Sequence, residues 1–201
     1  MNEPTAPALV FQTQRFAVRN LTSPDLVELQ ALFERYPDYF IAVNARRPRA
    51  DEAEVEFSEL PPPFLSHTQR WFAGVFDQAG AMQGVLHFVS DLMAPSVWHI
   101  ALFFLSTPLH GSGAAREIYV ELESWMHCSG AAWIRLGVVA GNARAERFWE
   151  RMGYTQTRLR KGVDTGGKLN DVRMLVKALA GGSVEQYLAL VARDNPDAPL
   201  P

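Results

Sequence analysis

His110-Gly111-Ser112-Gly113-Ala114-Ala115 sets two glycines and three small side chains directly ahead of an amphipathic run that ends near Cys128. Residues of these types at a helix start favour an anion. The first-turn N–H groups lack intrahelical partners, and the helix dipole attracts negative charge. Glycines at 111 and 113 let the backbone curl into a nest of successive N–H groups, while Ala114 and Ala115 keep side chains clear. The chemistry implied is the binding of a phosphate or pyrophosphate. A plain glycine-rich turn is the alternative, and a lone Gly-x-Gly would favour it. Two nucleotide motifs fit poorly. The dinucleotide fingerprint wants Gly or Ala where Arg116 stands, and an acid where Val138-Val139-Ala140-Gly141 ends the next strand. A phosphate-binding loop of the Gly-Lys-Ser/Thr type is absent.

The elements that must position this loop follow from the pattern. Phe16–Leu21 alternates as a strand, and Ser23-Pro24-Asp25 starts a helix that runs to about Tyr36, with Ser23 as cap. A short helix over 51–60 stops at Pro61-Pro62-Pro63. Strands are expected at 70–77, 82–89 and 97–105, a helix at 112–128, a strand at 131–139 and a helix at 142–152. A strand pair, 154–160 and 172–179, closes the series, with a mobile loop between them. Residues 1–14 read as an N-terminal arm, 15–179 as one domain, and 180–201 as linker, short helix and frayed tail.

Composition narrows the class. The chain has 201 residues, 48% of them hydrophobic, and a net charge of −3. That charge gives no global field for nucleic acid or an anionic membrane. One cysteine, Cys128, allows no internal disulfide and no cysteine-rich zinc site, and no metal is expected. Cys128 is expected to be buried or half-buried. The first ten residues have no leader pattern, so a cytoplasmic protein is expected.

The glycine loop has a partner motif. Asn142-Ala-Arg-Ala145-Glu-Arg-Phe148-Trp149-Glu-Arg-Met-Gly153-Tyr154 follows one strand later. Together the two segments resemble the GNAT (Gcn5-related N-acetyltransferase) superfamily, whose patterns are Gln/Arg-x-x-Gly-x-Gly/Ala and Asn-x-x-Ala-x-x-Phe-Tyr-x-x-x-Gly-Phe/Tyr. The resemblance covers about residues 15–179. It looks nearest to a bacterial subgroup with an acidic-aromatic segment after the first helix, Tyr36-Pro-Asp38-Tyr39-Phe40. It implies an α/β (α+β) domain of the GNAT fold. The sheet would be central, mixed and mostly antiparallel, with six to seven strands, a splayed central pair and about four flanking helices. The implied activity is direct transfer of an acetyl group from acetyl-CoA, as co-substrate, to a primary amine of a small molecule or peptide. A non-catalytic acyl-CoA-binding module is the alternative.

The resemblance also assigns residues. Pantetheine would pair with backbone at Phe103, Phe104 and Leu105, and the pyrophosphate would sit on N–H groups of Gly111, Ser112, Gly113, Ala114 and Ala115. Asn142 would contact pantetheine or cap its own helix, and Phe148 reads as core. The oxyanion would find N–H donors near Leu105. The chain departs from the family at three places. Trp149 replaces a tyrosine that often acts as acid, Gly137 stands where many members carry a carboxylate, and His110 replaces the Arg or Gln that opens the loop, with Trp149 and His110 still expected against the cofactor. His99 is the candidate substitute base. It lies six residues before Leu105, where the histone-acetylating branch has its glutamate. Its parity puts it on the face of Leu105, and an imidazole pKa of about 6.5 suits the task. A core histidine is the plainer reading. Asp91 is a second candidate, in a segment that also reads as a strand-end turn. Tyr36, Asp38 and Tyr39 are expected on the acceptor side, and Trp71 and Trp98 in the core or cleft wall. The acidic 51–59 run and the basic 46–49 run leave the acceptor charge open. A homodimer through the last strands or the 184–193 helix is also expected.

Overall fold

The computed structural model describes residues 8–179 and 181–198. The rest of the expected arm and tail lies outside the described residues. Eight strands form one open sheet: β1 Leu9–Gln12, β2 Phe16–Asn20, β3 Arg70–Asp77, β4 Met82–Val89, β5 Val97–Leu105, β6 Trp133–Val139, β7 Thr155–Asp164 and β8 Leu169–Ala178. The spatial order is β1-β2-β3-β4-β5-β6-β8-β7. Only β5 and β6 are parallel neighbours. Six α-helices complete the described residues: α1 Leu26–Arg35, α2 Asp38–Asn44, α3 Glu52–Ser58, α4 Ala114–Cys128, α5 Ala143–Arg151 and α6 Val184–Leu190. The sheet thus has more strands, and the domain more helices, than the sequence suggested. β1 lies inside what read as an arm, and α2 follows Pro37 where no helix was expected. Ser23 is not the α1 cap: Ser23–Asp25 forms a 3-10 turn capped by Thr22, and α1 itself starts after Asp25.

The sheet separates two cores. Ile118, Leu122 and Met126 of α4 and Trp149 of α5 pack on one face against Trp71, Phe88, Trp98 and Leu105. On the other face, Leu29 and Phe33 of α1, Phe40 of α2 and Ala53 of α3 cover Phe72, Val85, Leu102 and Phe104. We call the second the acceptor face. A smaller cluster lies under α6, where Tyr187 and Val191 meet Val97, Trp133 and Val176.

Two expectations about the chain's end are corrected. The loop between the last strands is not free: β7 and β8 run on into a tight hairpin whose tip docks on α2. Thr165 Oγ1 and Asn170 Nδ2 donate to the Val43 carbonyl at 3.1 and 2.7 Å, and Arg46 Nε donates to the Gly166 carbonyl at 3.3 Å. The tail is not frayed at Asp194, which is 1% exposed. Its carboxylate accepts two hydrogen bonds from Arg135, at 2.7 and 3.0 Å, and one from Tyr187 at 2.6 Å. A buried ion pair of this kind is retained because each charge would be costly alone. Cys128, expected to be at least half-buried, is exposed at the end of α4.

Candidate active site

The decisive local event is one extra residue in β5. Its register against β4 is continuous from Leu105 to Leu102, then shifts, so that His87 faces Leu102 while Phe88 faces Ile100. Ala101 is the bulged residue, and bulges bend a strand and increase its twist. Pairing of β5 with β6 runs only from Val97↔Trp133 to Ile100↔Leu136. Beyond that row the two strands part, and the β6-facing backbone of residues 101–105 has no strand partner. The splay is therefore a fork whose crotch lies at Ile100 and Leu136.

The glycine loop sits above the open arm of the fork. Gly111 and Gly113 have φ of 79° and 84°, the left-handed region that glycine enters at no steric cost, and space beyond their Cα atoms is open. The Ser112 hydroxyl donates to the Leu109 carbonyl at 2.8 Å and accepts from the Ala114 N–H at 3.3 Å. The N–H groups of Gly111, Gly113, Ala115 and Arg116 find no partner among the described residues. Unpaired N–H groups converging on a helix start fit a diphosphate.

Two arginines join this loop that sequence reasoning missed. His110 donates through Nε2 to the Leu105 carbonyl at 3.1 Å, and its Nδ1 receives Arg144 Nη1 at 2.5 Å. The first turn of α5 thus brings a cation to the loop where His110 had appeared to remove one. Arg116 stands exposed in the first turn of α4. A cation there opposes the helix dipole unless an anion lies nearby, and that placement was a legible signal.

Of the expected cofactor residues, Phe103, Leu105, His110 and Trp149 meet around the fork with the 111–115 loop. Phe103 lies 5.6 Å from Trp149 and 6.0 Å from Phe148, ring to ring. Asn142 serves as the α5 cap, its side chain accepting from the Ala145 N–H at 3.2 Å. Phe104 turns its side chain to the acceptor face, under Tyr39 at 6.1 Å. Tyr36 and Asp38 line a groove of about 380 Å³ with Arg35, Pro37, Thr107 and Pro108. Thr107 Oγ1 donates to Asp38 at 3.0 Å, tying the α1–α2 turn to the end of β5.

The candidate bases fare differently. The bulge reverses the expected parity, so His99 shares the acceptor face with Leu102 and Phe104, not the face of Leu105. It lies one residue below the crotch. Its Nδ1 is 3.1 Å from the Arg135 carbonyl and 3.3 Å from Arg135 Nη1. Burial, then the Arg135 charge, pulls its pKa down to about 3. A ring so weakly basic does not hold a proton at neutral pH. Asp91 lies before the far end of β5, with eight residue steps at roughly 3.3 Å each separating Val97 from Leu105. Its φ is 54°, and its carboxylate accepts from the Ser96 N–H at 2.7 Å, so it shapes a turn.

Glu56, part of the acidic run on α3, is the carboxyl group with a matched proton affinity. Burial, followed by Glu59 and Glu52, raises its pKa to about 7. Burial, then the charges of Glu56, Glu59 and Glu52, also raises that of Tyr39. Glu56 and Tyr39 thus lie close enough for each charge to weigh on the other. Nearby, Arg70 Nε donates to His87 Nε2 at 3.0 Å, and burial followed by the Arg70 charge lowers His87 to about 4.

The profile of the Acetyltransferase (GNAT) family matches residues 29–154. The chain belongs to this family. Comparison with curated proteins returns no match. Among solved structures, an acetyltransferase from Thermus thermophilus is similar, with a TM-score of 0.63 and 18% identity over 84% of this chain and 100% of that one. The ribosomal-protein-S18-alanine N-acetyltransferase from Escherichia coli gives 0.62 and 14%, over 84% and 97%. The spermidine N-acetyltransferase from Vibrio cholerae, in complex with CoA and spermine, gives 0.62 and 15%, over 81% and 95%. At these identities the likeness shows the GNAT fold. No group of three or more metal-ligating side chains occurs among the described residues, and no helix there is long and apolar enough to cross a membrane.

Proposed function

We propose that this GNAT protein is an N-acetyltransferase that moves an acetyl group from acetyl-CoA to a primary amine. The observation that carries the reading is the β5–β6 fork, opening directly beneath a loop of unpaired N–H groups. The residues fit the cofactor: the 111–115 N–H groups, with Arg116 and Arg144, would hold its phosphates, and the free β5 edge would take its amides. When bound, acetyl-CoA supplies an activated acyl carbon.

The chain's own part is positioning and proton handling. The acceptor face admits the amine opposite the loop, between the α3 wall and the β7–β8 hairpin. Glu56, poised near neutral pH, takes the amine proton. His99 stays neutral beside Arg135 and shapes the crotch. N–H groups of the unpaired β5 segment would face the carbonyl oxygen as charge develops on it. Trp149 is buried among Phe103, Tyr119 and Tyr154, and its indole N–H is no acid. Thiolate release then depends on solvent or on its own modest basicity.

Calorimetric titration of wild type and Gly113→Glu with acetyl-CoA and with NADH tests the reading. Acetyl-CoA binding that vanishes in the variant, with no response to NADH, supports it; no acetyl-CoA binding in wild type refutes it. A second reading, an acyl-CoA-binding module without transfer, is favoured by Gly137, which gives no carboxylate at the crotch. Absence of CoA release with every member of a broad amine panel would select it. The homodimer proposal is tested by sedimentation of the full chain.

A further inference from the structure

The acceptor face beyond the crotch carries an unusual excess of cations. Strand register places them. Gly137 of β6 faces Met174 of β8, and Met174 faces Arg158 of β7; in the next row, Val139 faces Val172 and Val172 faces Arg160. Residues directly opposite on neighbouring strands share a face, so Arg158 and Arg160 line the acceptor face with Gly137. Arg135 lies two residues before Gly137 on the same strand and the same side. The hairpin tip, held on α2 by Asn170 and Thr165, turns this surface inward toward the amine's approach.

The charges there do not balance. Asp194 is committed to Arg135. Arg158 Nη1 donates only to carbonyls, those of Arg193 and Asn195, at 3.0 and 2.9 Å. Arg160 makes no ion pair among the described residues, and its Nε is buried without any hydrogen-bond partner. Burial, then the charges of Arg193 and Arg135, lowers its pKa, as expected for a guanidinium among cations. Arg160 is half-buried, so one donor of its guanidinium is left for a ligand to satisfy while the rest of the fork reaches open space. A carboxylate matches a guanidinium fork in charge and geometry.

We propose that the amine acceptor carries a carboxylate close to its amino group, and that Arg160 receives it on the acceptor face of the β7–β8 hairpin. This rests on the acetyltransferase reading and names its substrate class: a free amino acid. The spacing agrees. β7 lies two strand spacings from β6, roughly 10 Å, and an extended arginine covers most of that span. The row of Arg160, at Val139, lies three residues beyond the crotch at Leu136, so an arginine reaching back along the sheet would hold a carboxylate with the amine directed toward the fork.

The test compares the twenty L-amino acids with their α-amides, reading CoA release from acetyl-CoA with wild type, Arg160→Met and Arg160→Lys. Melting midpoints serve as the fold control. At least one free acid should exceed its amide by tenfold or more in kcat/KM. Arg160→Met should bring the two within about twofold, and Arg160→Lys should restore part of the preference. Amides that perform as well as acids in wild type, or a preference that survives Arg160→Met, would overturn the proposal. Acetyl-CoA titration reports separately on the transferase reading. If acetyl-CoA does not bind, calorimetry with the same amino acids decides: binding lost in Arg160→Met sustains the carboxylate site, and no binding removes it.

Discussion

Replacing Glu56 by glutamine should stabilise the protein above neutral pH and leave it unchanged in acid. Burial, then Glu59 and Glu52, raises the folded pKa from 4.5 to about 7. The folded state thus retains a proton that the unfolded chain releases between those values. The sign follows: the neutral carboxyl is fully compatible with the fold below pH 4.5, and stability is lost as pH rises through about 7. The gap of about 2.5 pKa units, at ~1.36 kcal/mol each, comes to about 3 kcal/mol at pH 8. For 201 residues that is a rise of roughly 6–12 °C in melting midpoint for the variant. Urea denaturation of wild type and Glu56→Gln at half-unit steps from pH 4 to 8.5 measures it. The difference should grow from near zero to about 3 kcal/mol, with its midpoint between the two pKa values. A difference that is flat with pH, or a variant less stable at pH 8, would refute the electrostatic reasoning. The same substitution should remove the limb near pH 7 from the kcat profile if Glu56 is the proton acceptor.

Other outcomes follow from the same structure. Gly113→Ala should lose roughly 1–2 kcal/mol from the left-handed φ and keep measurable acetyl-CoA affinity, whereas Gly113→Glu should lose binding, as read by calorimetry. Arg144→Ala should weaken acetyl-CoA binding by about three- to tenfold, with an effect that shrinks at high salt. Asp194→Ala should destabilise the fold by about 3–5 kcal/mol, since it leaves Arg135 buried and unpaired, and denaturation will show it. By the same argument, a chain cut after Leu179 should melt early and is no neutral probe of assembly. Gly84→Ala should disrupt the β4–β5 pair, because its Cβ would lie 2.4 Å from the Phe104 carbonyl oxygen.

Much of the positioning scaffold was legible. β5 occupies residues 97–105 as its apolar run implied, and the glycine loop and Asn142 motif fall at the two helix starts that flank the fork. What escaped had no local signature. α2 has seven residues, too few for a 3.6 period to show, and Pro37 before it reads as a stop. Arg135 and Asp194 are 59 positions apart, so nothing in DNPDAPLP marks one aspartate as buried. The hairpin looked mobile because glycines dominate its tip, yet its hold on α2 comes from Thr165 and Asn170 across more than 120 positions. Glu56 was visible only as part of an acidic run, since its proton affinity depends on burial that α3 acquires by packing.

Ala101 works like an inserted letter in a text read two characters at a time. Before it, odd-numbered positions of β5 face the acceptor side; after it, even-numbered positions do. One strand is thus written in two frames, joined at the point where its second neighbour departs. Deleting Ala101 would fuse the frames. Ile100 would still face α4 and Leu102 still α1, so both cores would keep their side chains, while the bend that parts residues 102–105 from β6 would be lost. The dimension of the cleft is therefore carried by a count of residues, with little dependence on which side chains supply it. Substitutions along 102–105 that keep the alternation should leave the opening intact, while a single-residue insertion or deletion there should abolish it.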